Sequence, residues 1–209
     1  MHEFDALASI SAELAEKHAR EEAEREAERL KKQKRDELAR EALLNLRAIY
    51  DQLLARITRA APTVSRSGNT IVLGDGSMEL RIGTMNSVPW DRSKRSGWDV
   101  VVAAIIVVSQ TSKRNAISSS LFYAKRRGDD EYRWWEIGFN FSPFSDQRYL
   151  HHVALNVSEH AEHIDIALSQ QTIGQFVVQY GPKAIDDEDS EAFCLKWADL
   201  LAKASSGVL

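Results

Sequence analysis

The sequence predicts an α+β fold, with a long N-terminal helix, an antiparallel sheet of about six strands and a C-terminal helix packed on the sheet. Two observations carry this prediction. No glycine or proline interrupts the first 61 residues, which are rich in good helix formers. Residues 69–180 instead contain short β-branched or alternating segments joined by brief turns, a pattern typical of antiparallel neighbours.

The first helix is predicted over residues 5–61, because Asp5 suits an N-cap and Pro62 ends the helical pattern. Between residues 16 and 37, 16 of 22 positions are charged, and acidic residues recur four positions before basic ones. This composition is typical of a solvated helix. Residues 1–37 are therefore predicted to form a charged helix that projects from the rest of the chain.

A thin apolar stripe on this charged helix has two interpretations. It is either an incidental part of a solvated surface, or the contact face for a second helix, as in a coiled coil. Small alanines permit a close approach, and three larger residues at heptad-like spacing would close one end of the contact. The predicted partner interface consists of Leu7, Ile10, Leu14, Ala19, Ala23 and Ala27.

Residues 38–209 are predicted to form one α+β domain that begins with an amphipathic helix over residues 38–61. Apolar residues recur there every three or four positions, so this helix needs a partner surface, and the sheet is the natural one. Its predicted buried face consists of Leu43, Leu46, Tyr50, Leu53 and Ile57, widened by Leu44, Ile49 and Leu54.

The sheet is predicted within residues 69–180. A central, nearly all-apolar strand implies burial on both of its faces. Glycines on either side of Asp75 indicate a hairpin turn between the first two strands. Residues 149–172 fit a strand or a helix. The predicted strands are 70–73, 78–82, 98–109, 119–126, 131–140 and 173–180, the last closed by Gly181 and Pro182.

The last helix is predicted over residues 186–203, where four carboxylates at its start complement the helix dipole. This capping role explains the acidic cluster more simply than cation binding does. The predicted buried face consists of Ala192, Phe193, Leu195, Trp197 and Leu200.

Composition and charge exclude several classes of protein. The net charge of −4 excludes a globally basic protein that coats nucleic acid, and the single cysteine excludes an internal disulfide. The longest apolar run has nine residues, from 100 to 108, too few to span a membrane as a helix. The first residues lack a secretory signal pattern, so a cytoplasmic location without membrane attachment is expected.

No common catalytic or nucleotide-binding motif is present, so a non-enzymatic protein is favoured. Cys194 lies among apolar neighbours and is predicted to be a buried structural residue. Four histidines fall within 13 residues, yet their spacing matches no zinc signature, and no metal or other cofactor is predicted. These are His151, His152, His160 and His163.

The basic clusters carry the second functional expectation. In an up-and-down meander, alternate connections lie at the same end of the sheet, which brings two clusters together and leaves Lys113 and Arg114 at the other end. Together with Trp90 and Tyr132, such an end suits a phosphate-bearing ligand or single-stranded nucleic acid. Ordinary solvated loop tips are the alternative. The predicted ligand-binding residues are Arg92, Lys94, Arg95, Lys125, Arg126 and Arg127.

The leading hypothesis is therefore a non-enzymatic interaction or adaptor protein. Its charged helix would mediate oligomerisation or docking of a protein partner, and its α+β domain would supply a recognition surface. The alternative hypothesis is a module that binds nucleic acid or a phosphate-bearing ligand through the basic loops at one end of the sheet.

Overall fold

The structure, a computed structural model, describes residues 2–60, 64–68, 70–73, 78–82, 86–87, 94–95, 97–110, 116–141, 176–185 and 189–205. The chain divides into two compact units, residues 1–40 and residues 41–209. The described elements, in chain order, are α1 (His2–Ala60), β1 (Val64–Ser67), β2 (Thr70–Leu73), β3 (Met78–Ile82), β4 (Asn86–Ser87), β5 (Lys94–Arg95), β6 (Trp98–Gln110), β7 (Ala116–Arg126), β8 (Arg133–Phe141), β9 (Phe176–Ile185) and α2 (Asp189–Ser205).

The predicted α+β fold is confirmed: a long first helix is followed by an antiparallel sheet and a last helix that contacts it. The sheet order is β1-β2-β3-β6-β7-β8-β9. β3, β4 and β5 pair in turn with successive parts of β6, so together they line one edge of this long strand. β1, β4 and β5 are strands that the sequence did not predict.

β9 runs beyond its predicted end, because the strand continues through Gly181 and Pro182 to Ile185. Proline lacks an N–H group for the ladder and is normally confined to edges and bulges. The register between β8 and β9 shifts here, since Lys183 pairs with Glu136 and Tyr180 pairs with Gly138. This irregularity accommodates the proline, so the dipeptide interrupts the pairing without ending the strand.

Within the first unit, the side chains described from residue 12 to residue 40 are exposed or half-buried, and none is buried. Exposed ion pairs one helical turn apart cover this surface: Arg20 with Glu24, Arg25 with Glu21, and Arg29 with Glu26. Each such pair stabilises a helix by only about 0.2–0.5 kcal/mol. The pair of Glu21 with Arg25 has the acidic residue four positions before the basic one, as the sequence pattern predicts, whereas Arg20 pairs with the glutamate four positions after it.

Within the second unit, the end of α1 and the whole of α2 pack on one face of the sheet. Hydrogen bonds fix both helices. The Trp134 indole donates to the backbone oxygen of Ala42 (3.1 Å), and the Trp197 indole donates to Glu136 on β8 (3.0 Å). The Cys194 thiol also lies 3.7 Å from the backbone oxygen of Ile49, so the two helices contact each other.

The two helices differ in part from their predicted buried faces. Leu43, Leu44 and Leu195 are exposed, with 45%, 63% and 49% of their surfaces accessible. Ala42 is buried instead, and the predicted burial of Cys194 is confirmed. Their small side chains let each helix backbone approach its neighbours closely, and this turns the adjacent leucines outward. The other buried hydrophobic residues described on the two helices are Leu46, Ile49, Tyr50, Leu53, Ile57, Phe193, Trp197 and Leu201.

The opposite face of the sheet is also buried. Phe122 and Ile137 are fully inaccessible there, and Trp98 and Trp135 are 6% and 7% exposed. An extra residue near Val101 in β6 shifts its register against β7 and reverses which side chains face the helices beyond that point. Residues 100–104 of β6 are all buried although they include side chains on both faces, so the predicted burial of the central strand is confirmed.

Several sequence-based expectations fall outside the described residues. They concern the first hairpin turn, the 149–172 segment, the four clustered histidines, Trp90, Arg92, Lys113, Arg114 and the acidic residues 186–188. In the portion of the chain that the structure does describe, neither helix has a stretch apolar enough to cross a membrane.

Candidate functional site

The strand register brings two of the predicted basic clusters to one end of the sheet. Lys94 and Lys125 both pair with Asp99, from opposite sides of β6. Arg95 and Arg126 likewise both pair with Trp98. The meander argument therefore placed these residues correctly.

Two glycine turns hold this end together. Gly97 (φ 81°) precedes β6, and Gly128 (φ 99°) lies in the connection between β7 and β8. Both adopt the left-handed conformation that favours glycine. The backbone N–H of Arg127 donates to the backbone oxygen of Gly97, and the N–H of Asp129 donates to that of Arg126 (3.0 Å). The basic turn is thus tied to the start of the central strand.

An aromatic–cationic cluster covers the face of this end that is turned away from the helices; we call it the Arg126 cluster, and it consists of Trp98, Arg126, Arg133 and Trp135. The two indole rings meet edge to face with centroids 4.9 Å apart. The Arg126 guanidinium lies 4.8 Å from the Trp98 centroid and 5.3 Å from the Trp135 centroid. The Arg133 guanidinium lies 6.0 Å from the Trp135 centroid. Two cations therefore share one indole.

The helix-facing side of the same end has a different character. The Tyr132 hydroxyl donates to Asp99 (2.8 Å), and the Lys125 ammonium lies 5.3 Å from the Tyr132 ring. Tyr123 stacks on Tyr132 with ring centroids 6.0 Å apart. A carboxylate is therefore built into this face, so its basic charge is partly compensated within the fold.

Arg126 and Arg127 are both exposed, and neither forms an ion pair with any residue that the structure describes. Among the described residues, Arg126 lies against the two indole rings. A cation–π contact with a ring leaves the guanidinium N–H groups available for an acceptor. This is the feature of the basic end that most resembles a binding site.

The sequence located the basic residues but missed the indoles that hold one of them. Trp98 and Trp135 come from different strands, and only the sheet register makes them neighbours. The alternation of residues 132–135 was the available signal, since in a strand it puts Arg133 and Trp135 on one face and Tyr132 and Trp134 on the other. Of the basic residues expected near Tyr132, Lys125 lies over its ring, whereas Arg126 lies against the indoles on the opposite face of the sheet.

A cavity of about 550 Å³ lies between α1, the start of β8 and the start of α2. Asn45, Gln52, Glu131 and Ser190 contribute polar groups to its lining. Its volume is within the range of small-ligand sites. The lining mixes amide, carboxylate and hydroxyl groups, and none of them belongs to the binding residues predicted from the sequence.

The predicted partner interface lies on α1 in the first unit. Leu14, Ala19, Ala23 and Ala27 are exposed there, and Leu30 is exposed to a similar extent as Leu14, at 53% against 52%. Leu7 and Ile10 lie in the helix, but their side chains are outside the described part of the structure.

Two other sequence predictions can be placed on the structure. Cys194 is buried in α2, and burial raises the pKa of its thiol to about 11, which suits a structural residue. Within the described ranges, no group of three or more histidine, cysteine, aspartate or glutamate residues is arranged to hold a metal ion.

No model of a known protein family matches the chain, and no curated protein or solved structure is significantly similar to it.

Proposed function

We propose that the chain is a non-enzymatic interaction protein whose charged N-terminal helix binds a second helix. The observation that carries this proposal is the solvation of α1 between residues 12 and 40, where no described side chain is buried. Most helical stability in proteins comes from packing of an apolar face, and the described side chains of this stretch have no such packing. A partner helix would supply that packing.

The charge pattern of this helix favours a second copy of the chain as the partner. Residues 12–28 contain seven acidic and three basic residues, a net charge of −4. Residues 29–40 contain six basic and two acidic residues, a net charge of +4. In an antiparallel pair, the acidic stretch of each helix faces the basic stretch of the other, whereas a parallel pair places like charges together. Complementary charge of this kind selects orientation and partner.

Sedimentation equilibrium on the full chain tests this proposal. The wild type should have twice the monomer mass of 23.6 kDa and should dissociate as the salt concentration rises. A basic-stretch variant carries Lys31→Glu, Lys32→Glu and Lys34→Glu. An acidic-stretch variant carries the opposite changes, from Glu to Lys, at 22, 24 and 28. Lysine and glutamate have similar helix propensities, so both variants keep the helix.

Each variant alone should be monomeric, because its two stretches then have the same sign of charge. An equimolar mixture should form a 1:1 heterodimer, since the two variants complement each other in either stretch. This mixture is the matched control, because two variants whose helices were merely disrupted by the substitutions would not pair with each other. A monomeric wild type at every concentration, or two variants that dimerise alone as the wild type does, would contradict the proposal.

A second candidate function is the binding of a phosphate-bearing ligand at the basic end of the sheet. It is supported by the exposed guanidinium of Arg126, which forms no ion pair with any described residue, and by the convergence of β5 and β7 on β6. Binding of a single-stranded oligonucleotide should then weaken steeply with salt. The absence of measurable binding at low salt would exclude this function and leave the helical interaction untouched.

A further inference from the structure

We infer that Arg126 is the phosphate-binding residue of the basic end, and that the Arg126 cluster binds the phosphate group of its ligand and not a base. This inference rests on the second candidate function above. It names which of the clustered cations binds the ligand and which chemical group of the ligand is recognised.

The first argument is preorganisation. A solvated arginine loses side-chain entropy when it binds, and this loss weakens the interaction. Arg126 lies against two indole rings, at 4.8 and 5.3 Å from their centroids, so much of this ordering has already occurred in the free protein. The indole of Trp135 is itself fixed, because its N–H donates to the backbone oxygen of Ala124 (3.0 Å). Arg127 has no such ring contact among the described residues.

The second argument is uncompensated charge. Arg126 and Arg133 both lie over the Trp135 ring, so two cations are concentrated at this ring. On the helix-facing side, the Asp99 carboxylate accepts a hydrogen bond from Tyr132, the ring that Lys125 lies over, whereas Arg126 forms no ion pair with any described residue. An anion placed beside Arg126 would supply the acceptor that its guanidinium lacks among the described residues. Phosphate fits best, since a guanidinium presents parallel N–H donors to two of its oxygens.

The third argument excludes base recognition. Single-stranded nucleic acid is usually held by aromatic rings on which the bases stack. Trp98 and Trp135 are only 6% and 7% exposed, and the Arg126 guanidinium already lies over both rings. Tyr132 belongs to the other face of the sheet, where it bonds Asp99. No aromatic face of the Arg126 cluster is therefore free for a base, and binding should depend on phosphate alone.

The test measures binding of the full chain to fluorescently labelled probes by anisotropy at fixed low salt. The probes are a single-stranded oligonucleotide and an abasic deoxyribose-phosphate strand of the same length, and inorganic pyrophosphate is the competitor. The variants are Arg126→Lys and, as the matched control, Arg127→Lys. Both keep their positive charge and alter an exposed side chain on adjacent residues, so circular dichroism should show an unchanged fold.

The two strands should bind the wild type with affinities within about threefold of each other. Arg126→Lys should weaken both by on the order of tenfold, the value expected for losing a charged, bidentate hydrogen bond. Arg127→Lys should change them by less than about twofold, since one point charge replaces another. Displacement by pyrophosphate would identify a small phosphate ligand, and resistance to it would identify a polymer backbone. Either result is consistent with phosphate recognition.

Equal effects of Arg126→Lys and Arg127→Lys would overturn the inference, because the site would then depend on charge alone. Strong preference for the base-bearing strand over the abasic strand would overturn it as well. If the wild type binds neither strand nor pyrophosphate, the candidate function itself fails. That result is distinguishable from the first two, in which binding persists with a different specificity.

Discussion

Replacing Lys196 by methionine should destabilise the second unit by about 2 kcal/mol. Glu136 is only 2% exposed and receives two donors from α2, the Lys196 ammonium at 2.9 Å and the Trp197 indole at 3.0 Å. A buried ion left without its partner costs about 3–5 kcal/mol. The Trp197 donor remains in the variant, and the Lys196 side chain is 36% exposed, so a smaller loss is expected. Methionine keeps the apolar stem beside the Trp197 ring.

Urea unfolding followed by far-UV circular dichroism measures this loss, which corresponds to a fall in Tm of about 4–8 °C. Lys203→Met is the matched control, because Lys203 pairs with Asp199 on the exposed side of the same helix and should contribute less than about 0.5 kcal/mol. Adding Glu136→Gln to Lys196→Met should restore most of the stability, since glutamine is uncharged and still accepts from Trp197. If Lys196→Met costs no more than Lys203→Met, the account of the buried carboxylate is wrong.

Three further predictions follow from buried polar groups. The Tyr50 hydroxyl is buried without a hydrogen-bond partner among the described residues, so Tyr50→Phe should be neutral or stabilising by up to about 1 kcal/mol in urea unfolding. Tyr123→Phe should instead cost about 1 kcal/mol, because it removes the hydrogen bond to Glu41. The reverse order of the two stabilities would contradict both assignments. Burial, reinforced by Glu41, raises the pKa of Tyr123 far above its usual value. The contribution of this tyrosine to the free energy of unfolding should therefore be fully present below pH about 10 and be lost at higher pH. If the urea midpoint of Tyr123→Phe falls as steeply with pH as that of the wild type, Tyr123 is not the cause of the pH dependence. Because the pKa of the Cys194 thiol is raised to about 11, it should react with a maleimide at pH 8 about a hundredfold more slowly in the folded chain than in the urea-unfolded chain. Equal rates would show that the thiol is accessible in the folded chain.

The element types followed from the sequence because hydrophobic periodicity changes clearly between α1, the sheet and α2. Hydrophobic periodicity could not show which of several neighbouring apolar residues faces the core. Leu43 and Leu44 fit the predicted buried face of α1 as well as Ala42 does. The choice of Ala42 depends on the bond from Trp134, a residue 92 positions away, and no local pattern carries that information.

The candidate site was predictable to the same partial extent. Meander topology alone brought Lys94 and Arg95 next to Lys125 and Arg126, because it depends only on strand order. The distinction between Arg126 and its basic neighbours required the positions of Trp98 and Trp135 on separate strands. The register irregularity near Val101 also affects which β6 residues share a face, and no sequence signal marks it.

The central claim, that the N-terminal helix pairs with a second copy in antiparallel orientation, is tested most directly by distances between spin labels. The spin label is attached to a single cysteine introduced by Glu28→Cys or by Glu16→Cys, in a full chain that also carries Cys194→Ala. If opposite-charge stretches face each other, labels at Glu28 should lie within roughly 10–20 Å, close to the spacing of packed helices. Labels at Glu16 should lie about 38 Å apart, from the helical rise of about 1.5 Å per residue. Short distances at both positions would indicate a parallel pair, and no dipolar coupling at either would show that the helix does not pair; each result would contradict the account.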